Sequence, residues 1–216
     1  MGVLSFLGVS SLEWFALLML SFTMFRMEIR GSRGQIAFTS FLLSLLSYIL
    51  IVRLDLVTFA TFLQPPIVFL FLWLMFRIPA FYAGVITTNG YLIYILLTAI
   101  IYGIAHLLGL QIVADTPASF AAQTLTACIA LSIARFLHTF RLGYTFVPYR
   151  ARANERLTKP NLRLLLVTIA GYAVITSFNF LYFLGDYKQA VLIPVIVSLA
   201  LLQYGLFKKE SADSVL

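Results

Sequence analysis

RLGYTFVPYRARANERLTK, residues 141–159, is the one long polar joint in a chain of 216 residues. It separates two apolar blocks and carries Arg141, Arg150, Arg152, Arg156 and Lys159, with Arg163 close behind. Lys and Arg in short joints beside spanning helices stay on the cytoplasmic side of a membrane, so this stretch sets an orientation. Working outward from it, the same side receives Arg26, Arg30, Arg33 and Arg77 before it, and Lys208 and Lys209 after it. Twelve of the fifteen basic residues thus share one side. The opposite joints hold Arg53 and Lys188, and Arg135 lies within an apolar block near its inner end. The alternation predicts an N terminus outside and a cytoplasmic C terminus.

Hydrophobic residues make up 62% of the chain and charged residues 11%, against about 25% charged in soluble domains. A water-soluble fold of this length has no interior large enough for so much apolar side chain, so lipid must be the solvent for most of it. The length suits one transmembrane helical domain covering residues 1–216. The net charge of +7 does not form the stripe that binds nucleic acid; it sits at helix ends, facing anionic lipid headgroups. Membrane lipids are therefore expected partners and nucleic acid is not. Cys128 is the only cysteine, which rules out an intrachain disulfide. Residues 1–9 hold no Lys or Arg, so a charged secretory leader is not expected there.

About 20 apolar residues cross the roughly 30 Å of hydrocarbon in a bilayer. The predicted fold is an all-α, polytopic membrane bundle of seven transmembrane helices, at 11–25, 34–52, 56–76, 79–109, 117–140, 161–184 and 190–207. Six is the alternative count. The block at 78–110 would make a helix about 50 Å long. Dividing it at Thr87-Thr88-Asn89-Gly90 would turn the six-charge joint outward, so one tilted or kinked helix is preferred. The first span is short, and residues 3–9 are expected along the outer interface ahead of it.

An acidic group in a span is by default a functional candidate, which singles out Glu13. Ser10-Ser11-Leu12-Glu13 also matches the S-x-x-E capping box, whose carboxylate reaches back to a free backbone N–H, and this reading is preferred. Trp14 fits an interfacial anchor; Trp73, Tyr182 and Tyr187 fit the aromatic belts. Gln64-Pro65-Pro66 lies at the middle of the third span, where two prolines remove N–H donors and should kink or break the helix. Carbonyls freed at that depth need protein or water partners, so the triplet reads either as a packed kink or as a ligand site or hinge. Gln64, His106, Gln123 and Asn179 all fall in the outer halves of their spans, with Asp115 and Asp186 in outer joints. The inner halves show chiefly Asn89 and Gln203. A cavity opening outward would gather polar groups in this way, and interhelical hydrogen bonds are the competing explanation. The candidate ligand-binding residues are therefore Gln64, Pro65, Pro66, His106, Gln123 and Asn179.

No catalytic, metal or cofactor set is expected. Cys128 and His138 are ten residues apart on one helix, about 15 Å along its axis, and a thiol without a nearby base stays protonated. His106 lies near the outer surface, and two distant histidines without clustered carboxylates offer no converging metal ligands. No span contains the lysine that a retinal-type chromophore requires. The joint 141–159 is the largest cytoplasmic surface; beyond its topological role it is a candidate docking face for a partner.

In hydropathy, topology and loop size, nearly the whole chain resembles the membrane sensor half of accessory-gene-regulator-type peptide-pheromone histidine kinases of Gram-positive bacteria. The resemblance implies an outward-facing receptor of six or seven helices. The chain ends six residues after Glu210, so a phosphoacceptor helix and ATP lid are not expected. The leading expectation is a non-enzymatic, receptor-like or regulatory protein of the bacterial cytoplasmic membrane, multi-pass, binding a small ligand or peptide from the outer face. The alternatives are a substrate-binding membrane subunit of a transporter, favoured by a broken third span, and a membrane peptide-processing enzyme.

Overall fold

Among the described residues, seven helices follow the apolar blocks in order. The computed structural model describes residues 3–29, 31–110, 112, 116–147, 159–184 and 192–213, with backbone alone at 57, 58, 61, 159, 160, 178–184 and 213. The helices are α1 (Val3–Met24), α2 (Arg33–Tyr48), α3 (Val57–Leu70), α4 (Ala80–Leu107), α5 (Pro117–Thr139), α6 (Lys159–Leu184) and α7 (Leu192–Asp213). No strand occurs among the described residues. Five helices among those residues are long and apolar enough to cross a membrane: Val3–Met24, Arg33–Arg53, Ala80–Leu107, Pro117–Thr139 and Leu192–Ala212. Phe62–Met75 and Asn161–Ser177 are shorter apolar stretches. Phe59, Leu74, Ile193 and Phe207 are each more than 60% exposed. Such large apolar side chains on the outside fit a bundle whose solvent is hydrocarbon.

Three local expectations meet the backbone differently. α1 begins at Val3 and continues without interruption, so residues 3–9 extend the first helix instead of forming a separate interfacial segment. The capping-box reading fails for the same reason: Glu13 sits about three turns inside α1, where the Ser10 backbone N–H already belongs to the helical ladder. α3 does not break at Pro65-Pro66; both prolines lie inside it. Pro65 is buried, and packing retains a helix that lacks two N–H donors. α4 runs unbroken through Thr87-Thr88-Asn89-Gly90 for 28 residues, about 42 Å, as the charge pattern requires.

The helix ends carry a recurring device. Arg26, Arg77 and Arg141 adopt left-handed backbone at φ of +44°, +54° and +52°, just after helices. At Arg26 the N–H donates to Thr23 O at 3.1 Å and the following Met27 N–H to Phe22 O at 3.0 Å. Arg141 and Leu142 repeat the pattern with His138 O and Leu137 O. This is the Schellman closure, usually built on glycine, as Gly109 (φ +74°) builds it after α4. Arginine accepts the strained conformation here and places a cation at the negative end of a helix dipole. α2 and α3 close more widely: each continues into a π-helical turn, Ile49–Arg53 and Phe71–Met75, ending in a bond across six residues to Leu56 and Ile78.

Small residues set the crossings. A Cβ on Gly90 of α4 would overlap Ser21 Oγ of α1, and one on Gly171 of α6 would come within 2.8 Å of Thr88 Cγ2 of α4. Ala127, Ala130 and Ala134 of α5 form a buried stripe against Ala16 and Leu20 of α1. Without a hydrophobic force between helices in lipid, such close approaches are what holds a bundle together. α1 and α4 form its centre. α4 is buried without a gap from Val85 to Leu92, and Trp14, Leu17, Leu18 and Phe22 of α1 join the same apolar cluster.

Candidate functional site

A groove of about 700 Å³ runs between α3, α4 and α6. α4 contributes Ala80, Gly84, Thr87 and Thr88, which share a face at helical spacing; small residues there leave a floor instead of a ridge. α6 contributes Asn161, Leu165, Thr168, Ile169 and Tyr172, again at helical spacing. Pro65, Pro66 and Phe69 of α3 and Phe81 of α4 complete the walls. At the far end the groove closes where Gly171 of α6 seats on Thr88. Although three threonines line it, the groove is largely apolar. The Thr168 hydroxyl donates to Leu164 O at 2.8 Å, and Thr87 Oγ1 is buried without a hydrogen-bond partner.

At the other end of the groove the lining residue Asn161 is bonded by Lys209 of α7, which lies in turn over Phe146 at the start of the 141–159 joint. Lys209 is 7% exposed; its Nζ donates to Asn161 Oδ1 at 2.6 Å and lies 5.5 Å from the Tyr82 ring centroid and 5.3 Å from that of Phe146. Glu210 accepts from the Thr145 N–H at 2.9 Å and its hydroxyl at 2.6 Å. The Tyr144 hydroxyl donates to Gln203 Oε1 at 2.7 Å, and Gln203 Nε2 donates to Asn89 Oδ1 at 2.6 Å. Burial pushes the Tyr144 phenol up from its ordinary value, with the Glu210 carboxylate adding to the rise, so it remains a neutral donor. Residues 141–147 are thus laced onto the bundle. A Cβ on Gly143 would fall 2.5 Å from Met24 O, and the Tyr144 N–H donates to that same carbonyl at 2.7 Å. The remaining part of the predicted docking face, 148–158, lies outside the described residues.

Of the residues predicted as a ligand site, Pro65 and Pro66 line the groove, and Gln64, His106 and Gln123 are placed elsewhere. Gln64 faces α2, its Nε2 donating to Ser47 Oγ at 3.1 Å. Ser47 also accepts from Trp14 Nε1 at 3.3 Å, which ties α1, α2 and α3 together. His106 is exposed in the last turn of α4, and Gln123 is half-buried on α5. The Asn179 side chain lies outside the described residues. Glu13 of α1 adjoins the Tyr94 hydroxyl of α4 without meeting hydrogen-bond geometry. Cys128 is exposed on α5. Among the described residues no three His, Cys, Asp or Glu side chains converge.

Sequence reasoning passed over Gly84, Thr88, Asn161, Thr168, Tyr172 and Lys209. The helical spacing of Ala80, Gly84 and Thr87 was a visible small-residue face, but nothing local said which helix would stand off from it. No protein-family model matches the chain, and neither curated proteins nor solved structures give a match.

Proposed function

We propose that this chain is a non-enzymatic, receptor-like or regulatory protein of the bacterial cytoplasmic membrane, binding a small amphiphilic ligand in the groove between α3, α4 and α6. All seven helices cross the bilayer in this reading, with the N terminus outside and the C terminus in the cytoplasm. The groove itself is the observation that carries it: about 700 Å³ of mostly apolar space, within the range of small-molecule sites, with Asn161 at one end and three threonines among its walls. The orientation rests on charge. One end of the bundle gathers Arg26 and Arg141 across the ends of α1 and α5, Arg77 beside Met27 and Glu28, and Lys209 beside Asn161. With that end inside, the groove lies in the cytoplasmic leaflet, so the ligand enters from the membrane and not from the outer face.

The transporter alternative drew on a discontinuous third span, and α3 stays helical through its prolines. A photoreactive alkyl probe incorporated into proteoliposomes tests the proposal. Labelling should concentrate on 65–88 and 161–172 and disappear in Gly84→Trp. Labelling that is spread evenly over the helices, or is indifferent to Gly84→Trp, would overturn it.

A further inference from the structure

We infer that the groove holds one acyl chain of an anionic glycerophospholipid, with the phosphate at the Asn161–Lys209 end. The inference rests on the reading of the groove as a ligand site and names the ligand's chemical class. Its first support is length. The wall on α6 extends over twelve residues from Asn161 to Tyr172, a rise of about 16 Å. One leaflet of a bilayer with roughly 30 Å of hydrocarbon is about 15 Å deep, so an acyl chain entering at the headgroup level fills the groove end to end. The second support is wall chemistry. Pro65, Phe69, Phe81, Leu165 and Ile169 are apolar, and the Thr168 hydroxyl is turned onto its own helix. A sugar or an extended peptide would find few polar partners along such walls.

The third support is the charge at one end only. Lys209 is held rigidly between Asn161 and two aromatic rings, so its ammonium is positioned before any ligand arrives. The N-terminal turn of α6 adds the positive end of a helix dipole. Among the described residues, Glu210 accepts from Thr145. An amphiphile with one anionic head and a hydrocarbon tail complements this arrangement from end to end, and the leaflet at the arginine-rich face is its source.

Purified, delipidated full-length protein should be titrated with phosphatidylglycerol, phosphatidylcholine and free glycerol phosphate, read by native mass spectrometry and thermal shift. Phosphatidylglycerol should be retained preferentially, phosphatidylcholine weakly, and glycerol phosphate should produce no shift because it lacks the chain. Lys209→Gln should cut the preference about fivefold, the size expected for one cation at a membrane surface, and Lys209→Arg, which keeps the cation, should restore it. Arg33→Gln, at the same end of the bundle but away from the groove, should leave it unchanged, which separates a built site from the general attraction of a basic surface. Equal retention of the two lipids, or an equal effect of Arg33→Gln, would overturn the inference while leaving groove labelling intact. A shift with glycerol phosphate alone would instead assign the head site to a soluble phosphate. Loss of groove labelling would sink the proposed function itself.

Discussion

Replacing Gly90 by alanine should separate the two central helices. The new Cβ would overlap Ser21 Oγ and stand 3.1 Å from Ser21 Cβ. The hydroxyl cannot turn aside freely, because it donates to Leu17 O at 2.8 Å within α1, and losing such a bond costs about 0.5–1.5 kcal/mol. Crowding between the two Cβ atoms remains after that movement, and overpacking a filled interface typically costs about 1–3 kcal/mol. We expect a total near 2–3 kcal/mol, or a fall in melting temperature of about 4–12 °C for a chain of this size. Trp14 reports on the interface directly, since its ring lies edge-on to Tyr91, the next residue on α4, at 6.2 Å. Thermal unfolding of the protein in lipid nanodiscs, followed by tryptophan emission, is therefore the assay. The Ser21→Ala background supplies the control: it removes the overlapping oxygen but keeps the Cβ contact, so Gly90→Ala should cost about 0.5–1.5 kcal/mol less there. A Gly90→Ala protein melting within about a degree of the parent, or the same penalty in both backgrounds, would refute the α1–α4 crossing described above.

Other substitutions probe the lacing at the basic end and the predicted site. Gly143→Ala places a Cβ 2.5 Å from Met24 O at a φ of +137°, so residues 141–147 should detach; faster protease cleavage near Arg141 at unchanged helix content is the expected result, and an unchanged rate counts against it. Gln203→Leu leaves the fully buried Asn89 and the Tyr144 hydroxyl without their partner and should cost about 1–3 kcal/mol in denaturation; a neutral outcome would mean the chain of bonds from Tyr144 to Asn89 does not form. Gln64→Leu removes one interhelical bond, on average about 0.6 kcal/mol in lipid, so the melting temperature should fall by only a few degrees with groove labelling intact; abolished labelling would return Gln64 to the ligand site. A reporter fused after Ser211 should be active in the cytoplasm, and activity confined to the outside would reverse the assigned orientation.

The sequence by itself determined the class of solvent, the helical class and the order of the helices. Lipid offers no hydrogen bonds, so long apolar blocks must be helical, and α4 was legible as one helix because dividing it would have inverted the charges of every later joint. The arginines that ordered those joints also turned out to close helices, at Arg26, Arg77 and Arg141. Local motifs were less dependable. Ser10–Glu13 resembles a helix start, but the apolar run from Val3 already carries the helix through it, and Pro65-Pro66 resembles a break that burial and neighbouring turns prevent. The groove was decided by the tertiary structure alone. Its walls come from residues as distant as Pro65 and Tyr172, and the bond between Asn89 and Gln203 spans 114 residues. Helical periodicity tells which residues share a face. Which faces meet, and where two helices stand apart by the width of an acyl chain, depends on where small residues such as Gly90 and Gly171 let backbones touch.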